Sequence, residues 1–224
     1  MGGWLIYHPE RLRKEFDGVT VYYDRPGGNE DPYIWSKRFL HTYCHITQMS
    51  PEVGDTNLWV SGDHFPDFSR LDCDLVFVVE EKYRWAMPNR IEPSECESEQ
   101  AYRDHYSWAS KDHPFKKRSR FTLKAAGDRS FQPQSERHSL IDIVPELSKL
   151  DISVDALRKG LRAGFASRPM PLSQSVVEVI SKRLSAAPVQ LHGERLEAIR
   201  KSHPDLNGES SKGTRNRIAC AARA

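Results

Sequence analysis

The sequence predicts an α+β protein, mostly β over its first 140 residues and helical beyond them. Short runs rich in aromatic and β-branched residues, Trp4–Tyr7, Val19–Tyr23 and Leu75–Val79, lie between turn-forming residues in the first half, as strands do. From Leu140 onward apolar residues recur every three or four positions instead, the spacing of one helix face. With 224 residues, 38% hydrophobic content, five Trp, eight Tyr and nine Phe, the chain can build one sizeable core with an appended element. Wholesale disorder and a large multidomain enzyme are excluded. The expected divisions are a β-rich core over 1–140, a helical portion over 141–206 and a disordered basic tail over 207–224.

Taken in order, Trp4–Tyr7 reads as a first strand, and Val19–Tyr23 as a second that ends at the Asp24-Arg-Pro-Gly-Gly turn. Residues 36–47 fit a helix through Phe39, Leu40, Tyr43 and Cys44, or a strand through Leu40, Thr42, Cys44 and Ile46. Gly54-Asp55 then introduces a strand over Asn57–Ser61, and Asp74 precedes the apolar run Leu75–Val79, so these two segments should form the centre of a sheet. Residues 86–99 carry Pro88, Pro93 and four glutamates, a loop. A helix over about Glu97–Ala109 would place Ala101, His105 and Trp108 on one face. Phe121–Ala125 returns as a strand, and Arg129-Ser-Phe-Gln-Pro-Gln is extended or turn-like. Helical segments follow through Ile143, Leu147 and Leu150, through Leu157, Leu161 and Phe165 behind a Ser153 cap, and through Val176, Val177, Ile180 and Leu184 behind a Ser173 cap. Leu191–Ile199 adds another.

Lys and Arg number 33 against 31 Asp and Glu, so the net charge of +2 names no partner by itself. Apolar runs such as Leu75–Val79 fall far short of the roughly 20 residues that span a bilayer, which predicts no membrane partner. Cys44, Cys73, Cys96 and Cys220 form no Cys-x-x-Cys pair, an argument against a disulfide scaffold or zinc ribbon. The expectation is a cytoplasmic protein.

The charge is unevenly distributed. Lys111–Lys124 holds six Lys or Arg and one Asp, a net of +5, with Phe115 and Phe121 interleaved and Arg129 just beyond. Cations attract phosphates and aromatic faces stack on bases, so Lys116, Lys117, Arg118, Arg120, Lys124 and Arg129 are candidate phosphate-binding residues. The plainer alternative is a solvated loop.

Next, Val53-Gly-Asp-Thr-Asn-Leu-Trp-Val-Ser-Gly62 and Cys73-Asp-Leu-Val-Phe-Val-Val-Glu-Glu-Lys-Tyr-Arg-Trp85 place a Gly-Asp turn before a strand ending in Ser-Gly, then a strand ending in Val-Glu-Glu-Lys with an aromatic beyond. Over about residues 41–85 this pattern resembles PUA-like domains, in particular the EVE, ASCH and nucleotide-modification-associated groups. The resemblance implies a small barrel-like sheet with a pocket for a nucleobase, often a modified one, beside basic residues that hold the backbone. On matching positions it implies that Trp59 and Ser61 line the pocket and Trp85 flanks it. His105 and Trp108 are added from chemistry, imidazole for hydrogen bonding to a base edge and indole for stacking. Ordinary core packing is the plain alternative for the tryptophans. The long helical C-terminal portion departs from the smallest members of these groups.

Two further constellations compete. Pro66-Asp67, twelve intervening residues and Glu80-Glu81-Lys82 resemble the PD-(D/E)xK nuclease signature, in which Asp67 and Glu80 would bind Mg²⁺ and Lys82 would activate water. His41 and His45 lie on one side in either a helix or a strand, but with Cys44, Asp63 or His64 they match no zinc spacing. The expectation is therefore a nucleic-acid-associated module that recognises a nucleobase, modified or unmodified, and uses no cofactor. Its partner would be DNA, RNA or a nucleotide. The alternatives are the Mg²⁺-dependent nuclease and a protein-interaction domain working through its C-terminal helices. Whether the chain is catalytic stays open.

Overall fold

A computed structural model describes residues 2–8, 12–23, 43–46, 50–62, 69–84, 121–161 and 169–202. The chain packs as two compact units, each assembled from separated segments. The first takes residues 1–11, 50–79 and 126–192, and the second takes 12–49, 80–125 and 193–224.

The first unit is built on an open sheet. Strand β1 (Gly3–His8) runs parallel to β5 (Thr56–Ser61), with Gly3 opposite Thr56 and His8 opposite Ser61. On its other side β1 pairs antiparallel with the short β10 (Met170–Leu172). Strand β6 (Asp72–Arg84) pairs antiparallel with β5, then along its other edge with β9 (Ile141–Asp142) and, at Val76 opposite Phe131, with β8 (Phe131–Gln134). Strand β11 (Val189–His192) closes on β8. This corrects the expected small barrel. Among the described strands β10 and β11 each pair on one side, and the sheet does not close. Pro171 gives β10 no N–H at its centre to donate to a further strand, a residue suited to an edge.

One face of this sheet carries the core. Leu5, Tyr7, Leu58, Val60, Cys73, Val76 and Phe131 point into it and meet apolar residues of three helices. These are α1 (Val144–Lys149), α2 (Val154–Gly160) and α3 (Gln174–Ser185), which contribute Leu147, Leu157, Val177, Ile180 and Leu184. Each fully buried Leu or Ile contributes roughly 1.5–3 kcal/mol of transfer free energy. The predicted caps are present, with Ser153 Oγ accepting from Ala156 N–H at 3.2 Å and Ser173 Oγ from Val176 N–H at 3.4 Å. Helix α3 comes so close to β1 that a Cβ on Gly3 would overlap Val177 Cγ2. Residue 140 thus falls inside the first unit, and the helices after it share a core with strands from the start of the chain.

The second unit contains the hairpin of β2 (Leu12–Phe16) and β3 (Val19–Tyr23), and the antiparallel pair of β4 (Tyr43–Ile46) with β7 (Phe121–Ala125). It also holds the continuation of β6 and helix α4 (Gly193–Ser202). Strand β2 is largely charged and has no apolar alternation to announce it. The hairpin is set by its turn, where Asp17 and Gly18 both take positive φ, 49° and 74°, as a two-residue type I′ connection requires. Of the ambiguous stretch 36–47, residues 43–46 are strand, with Cys44 opposite Leu123 and His45 opposite Thr122. The segment expected as helix from Leu191 is strand through His192 and helix only from Gly193. The helix expected over 97–109 and the tail lie outside the described residues. Among the described residues no helix is long and apolar enough to cross a membrane.

Candidate functional site

Strand alternation sends Leu58 and Val60 into the core and Asn57, Trp59 and Ser61 to the opposite face of the first sheet. Register extends that second face across the neighbouring strands, since Asn57 lies between Trp4 and Phe77, and Trp59 between Ile6 and Leu75. Between Trp59 and Val60 the pairing shifts by one, leaving Asp74 as the extra residue of a β-bulge. On β8, Phe131 points into the core, so Gln132 and Gln134 alternate onto the second face.

This face is buried, yet much of it is polar. Asn57, Asp74, Gln132 and Gln134 are each 0% exposed, while Ser61 and Ser130 are nearly so. They are interspersed with Ile6, Trp59, Leu75 and Phe77, which are also buried. Some of these polar groups satisfy one another or the backbone. Ser130 Oγ accepts from Val78 N–H at 3.0 Å, and Gln134 Nε2 donates to Gln132 Oε1 at 3.1 Å. Asn57 is different, because among the described residues neither its Nδ2 nor its Oδ1 has a hydrogen-bond partner. A buried amide left unpaired costs roughly 1–3 kcal/mol per group. Such a cost inside a regular strand marks a position where a rule of stability is broken and function is the usual reason.

Two carboxylates border the face. Asp55, just before β5, accepts from Gly2 N–H at 2.6 Å, Trp4 Nε1–H at 2.9 Å and Glu52 N–H at 2.9 Å. Burial pushes its carboxyl up, but these three donors together hold it below its usual value. Asp72 lies opposite Ser61 on one side and Asp142 on the other. Burial raises its carboxyl, the Arg70 guanidinium at 2.6 Å opposes that rise, and the Asp142 and Asp74 charges add to it. Burial and the Asp74 charge also push the fully buried Cys73 thiol well above its ordinary value, leaving a packing residue rather than a nucleophile.

Of the residues expected to contact a base, Trp59 and Ser61 lie together on this second face. Trp85, His105 and Trp108 lie outside the described residues. So do Lys116, Lys117, Arg118 and Arg120 of the expected phosphate strip. Lys124 Nζ is 2.7 Å from Glu81 Oε1 and 3.6 Å from Glu80 Oε2, so its charge is engaged by two carboxylates. Arg129 is exposed in the turn before β8, 3.9 Å from Asp128. Of the nuclease set, Glu80 and Lys82 lie two apart on β6, with Glu80 beside Lys124, and Asp67 is outside the described residues. Among the described residues no group of three or more His, Cys, Asp or Glu could hold a metal. His41, Asp63 and His64 are not described.

Asn57, Gln132 and Gln134 were not among the expected site residues. The signal for Asn57 was an amide near the start of a strand that continues Leu58-Trp59-Val60, a setting in which Asn is depleted. Gln132 and Gln134 carried the period-two alternation of a strand, but with a polar side that reads as solvent-facing. No family model, curated protein or solved structure matches the chain.

Proposed function

We propose that the chain is a nucleic-acid-associated module that recognises a nucleobase, modified or unmodified, through the second face of its first sheet, with the basic strip at 116–120 holding phosphates. The observation that carries this reading is the buried Asn57 carboxamide, without a partner among the described residues, on the face that also bears Trp59. Carboxamides pair with base edges because they offer one donor and one acceptor in a plane, and indoles supply stacking area.

The test is equilibrium binding of short DNA and RNA strands, modified and unmodified, as a function of salt. Affinity should fall as salt rises, and reversing Lys116, Lys117 and Arg118 together should flatten the log–log salt slope by about 2–3, at roughly 0.7–0.9 for each phosphate no longer neutralised. Absence of affinity at low salt, or a slope unchanged by the triple reversal, overturns the proposal.

A further inference from the structure

We infer that strand β2 is a docking edge for a second copy of this chain, which adds its own β2 antiparallel about a two-fold axis at Lys14. The hairpin fixes which way the backbone of β2 points. Phe16 and Val19 close the two-residue Asp17-Gly18 turn as a hydrogen-bonded pair, so Lys14 with Val21 and Leu12 with Tyr23 are bonded likewise. Arg13 and Glu15 fall between these pairs, and their N–H and C=O groups turn away from β3. Among the described residues β2 pairs with β3 alone, and Arg13, Lys14 and Glu15 are exposed where Thr20 and Val21 of β3 are buried. The outer edge of β2 is therefore a row of donors and acceptors open to another strand. Charge on an edge ordinarily discourages such pairing, but Arg13-Lys14-Glu15 complements itself when reversed. With Lys14 opposite the partner's Lys14, Arg13 lies opposite the partner's Glu15, and Glu15 opposite the partner's Arg13. These are the positions whose backbone groups point outward, so each pair can exchange both of its N–H···O bonds while its side chains meet as opposite charges on one face. Sliding either copy by two residues sets Arg13 against Arg13 or Glu15 against Glu15, which disfavours those registers. The like-charged pair that remains is at Lys14, whose Nζ lies 5.0 Å from the centre of its own Phe16 ring and so leans along its strand rather than across the axis. Such a contact uses the same surface on both copies and closes at the dimer. It stands independently of the nucleobase reading.

The experiment follows the mass of the full chain by analytical ultracentrifugation from about 1 μM to 1 mM, the range in which an interface under roughly 1,200 Å² assembles. Dimer should build up as concentration rises. Arg13→Glu and Glu15→Arg, both at exposed positions, should each leave the melting midpoint of the dilute protein unchanged. Each should weaken the dimer by about tenfold or more, because every Arg13–Glu15 pair across the axis becomes repulsive. Mixed in equal amounts, the two variants should form a heterodimer, since Arg13 and Arg at position 15 of one chain then meet Glu15 and Glu at position 13 of the other. The double exchange, Arg13→Glu with Glu15→Arg, should recover the wild-type affinity. Lys14→Cys should crosslink to the partner's residue 14 in oxidised glutathione, because a non-hydrogen-bonded pair has its Cα atoms about 4.5 Å apart. Glu15→Cys, which faces position 13 of the partner, should not, and peptide mapping separates these links from any through the native cysteines. A chain that stays monomeric throughout the range overturns the inference and leaves β2 as an edge protected by its charges. A dimer indifferent to both reversals, one not restored by mixing or by the double exchange, or failure of Lys14→Cys to crosslink also overturns it.

Discussion

At Asp55 a single carboxylate ties together three donors, two of them from the backbone around the start of β1 and the turn before β5. Its folded-state ionisation is held below the usual value, so the folded chain releases this proton more readily than the unfolded one. The stabilisation is present above the unfolded value of 3.8 and is lost as pH falls through the lower folded value. Asp55→Ala should cost about 2–3 kcal/mol at neutral pH, because it strands partly buried donors. Urea unfolding from pH 7 into acid should show the wild-type and variant curves converging. Asp72 works in the opposite sense. Its folded value is raised, so stability declines as pH rises from the unfolded value through the folded one. Arg70, half exposed, offsets part of this decline. Arg70→Gln should therefore destabilise by under about 1 kcal/mol at pH 7, and by nothing once Asp72 is protonated in both states. A loss that persists at low pH would show that Arg70 acts through its hydrogen bond to the Leu140 carbonyl, at 3.4 Å, rather than through the Asp72 charge.

At the scale of elements, the closeness of α3 to β1 depends on Gly3. A Cβ there overlaps Val177 Cγ2, so Gly3→Ala should destabilise by about 1–3 kcal/mol, the usual cost of overpacking. Gly3→Ala combined with Val177→Ala should recover part of that loss if the clash is its cause, as a double-mutant cycle in urea would show. The capping serines are simpler. Ser173→Ala should cost about 1 kcal/mol, seen as a lower unfolding midpoint with an unchanged m-value. These two elements also show how sequence reading succeeds and fails. The α3 helix was legible because its cap, its apolar stripe and its length agree. Strand β2 was not, since Leu-Arg-Lys-Glu-Phe has no alternation to read. Its one local cue was the Asp17-Gly18 turn, which fixes the register of the hairpin whatever the strand composition. The short strands β10 and β11 were equally hidden, because three or four residues carry too little pattern and take their strand state from a partner distant in sequence.

On the scale of the whole molecule, the chain crosses between two compact units, and each is closed by segments far apart in sequence. The core face of the first sheet, with Leu5, Leu58 and Val60, is covered by helices that begin only at Val144. A fragment ending at residue 140 should therefore lack a cooperative unfolding transition and expose apolar surface, measurable by calorimetry and dye binding. A sharp transition in that fragment would contradict the shared core. Local pattern was enough for the α+β class, for helices α1, α2 and α3 with the serine caps of the last two, for the central strands at Asn57–Ser61 and Leu75–Val79, and for the position of the basic strip. Each of these follows from local periodicity, capping chemistry or charge, which are written in neighbouring residues. Long-range packing was needed to show that the sheet stays open, that the helices share a core with β1, and that Asn57, Gln132 and Gln134 are buried. Burial of a polar side chain depends on what other segments cover it. A period-two pattern places Asn57 on one side of a strand without saying whether water lies there.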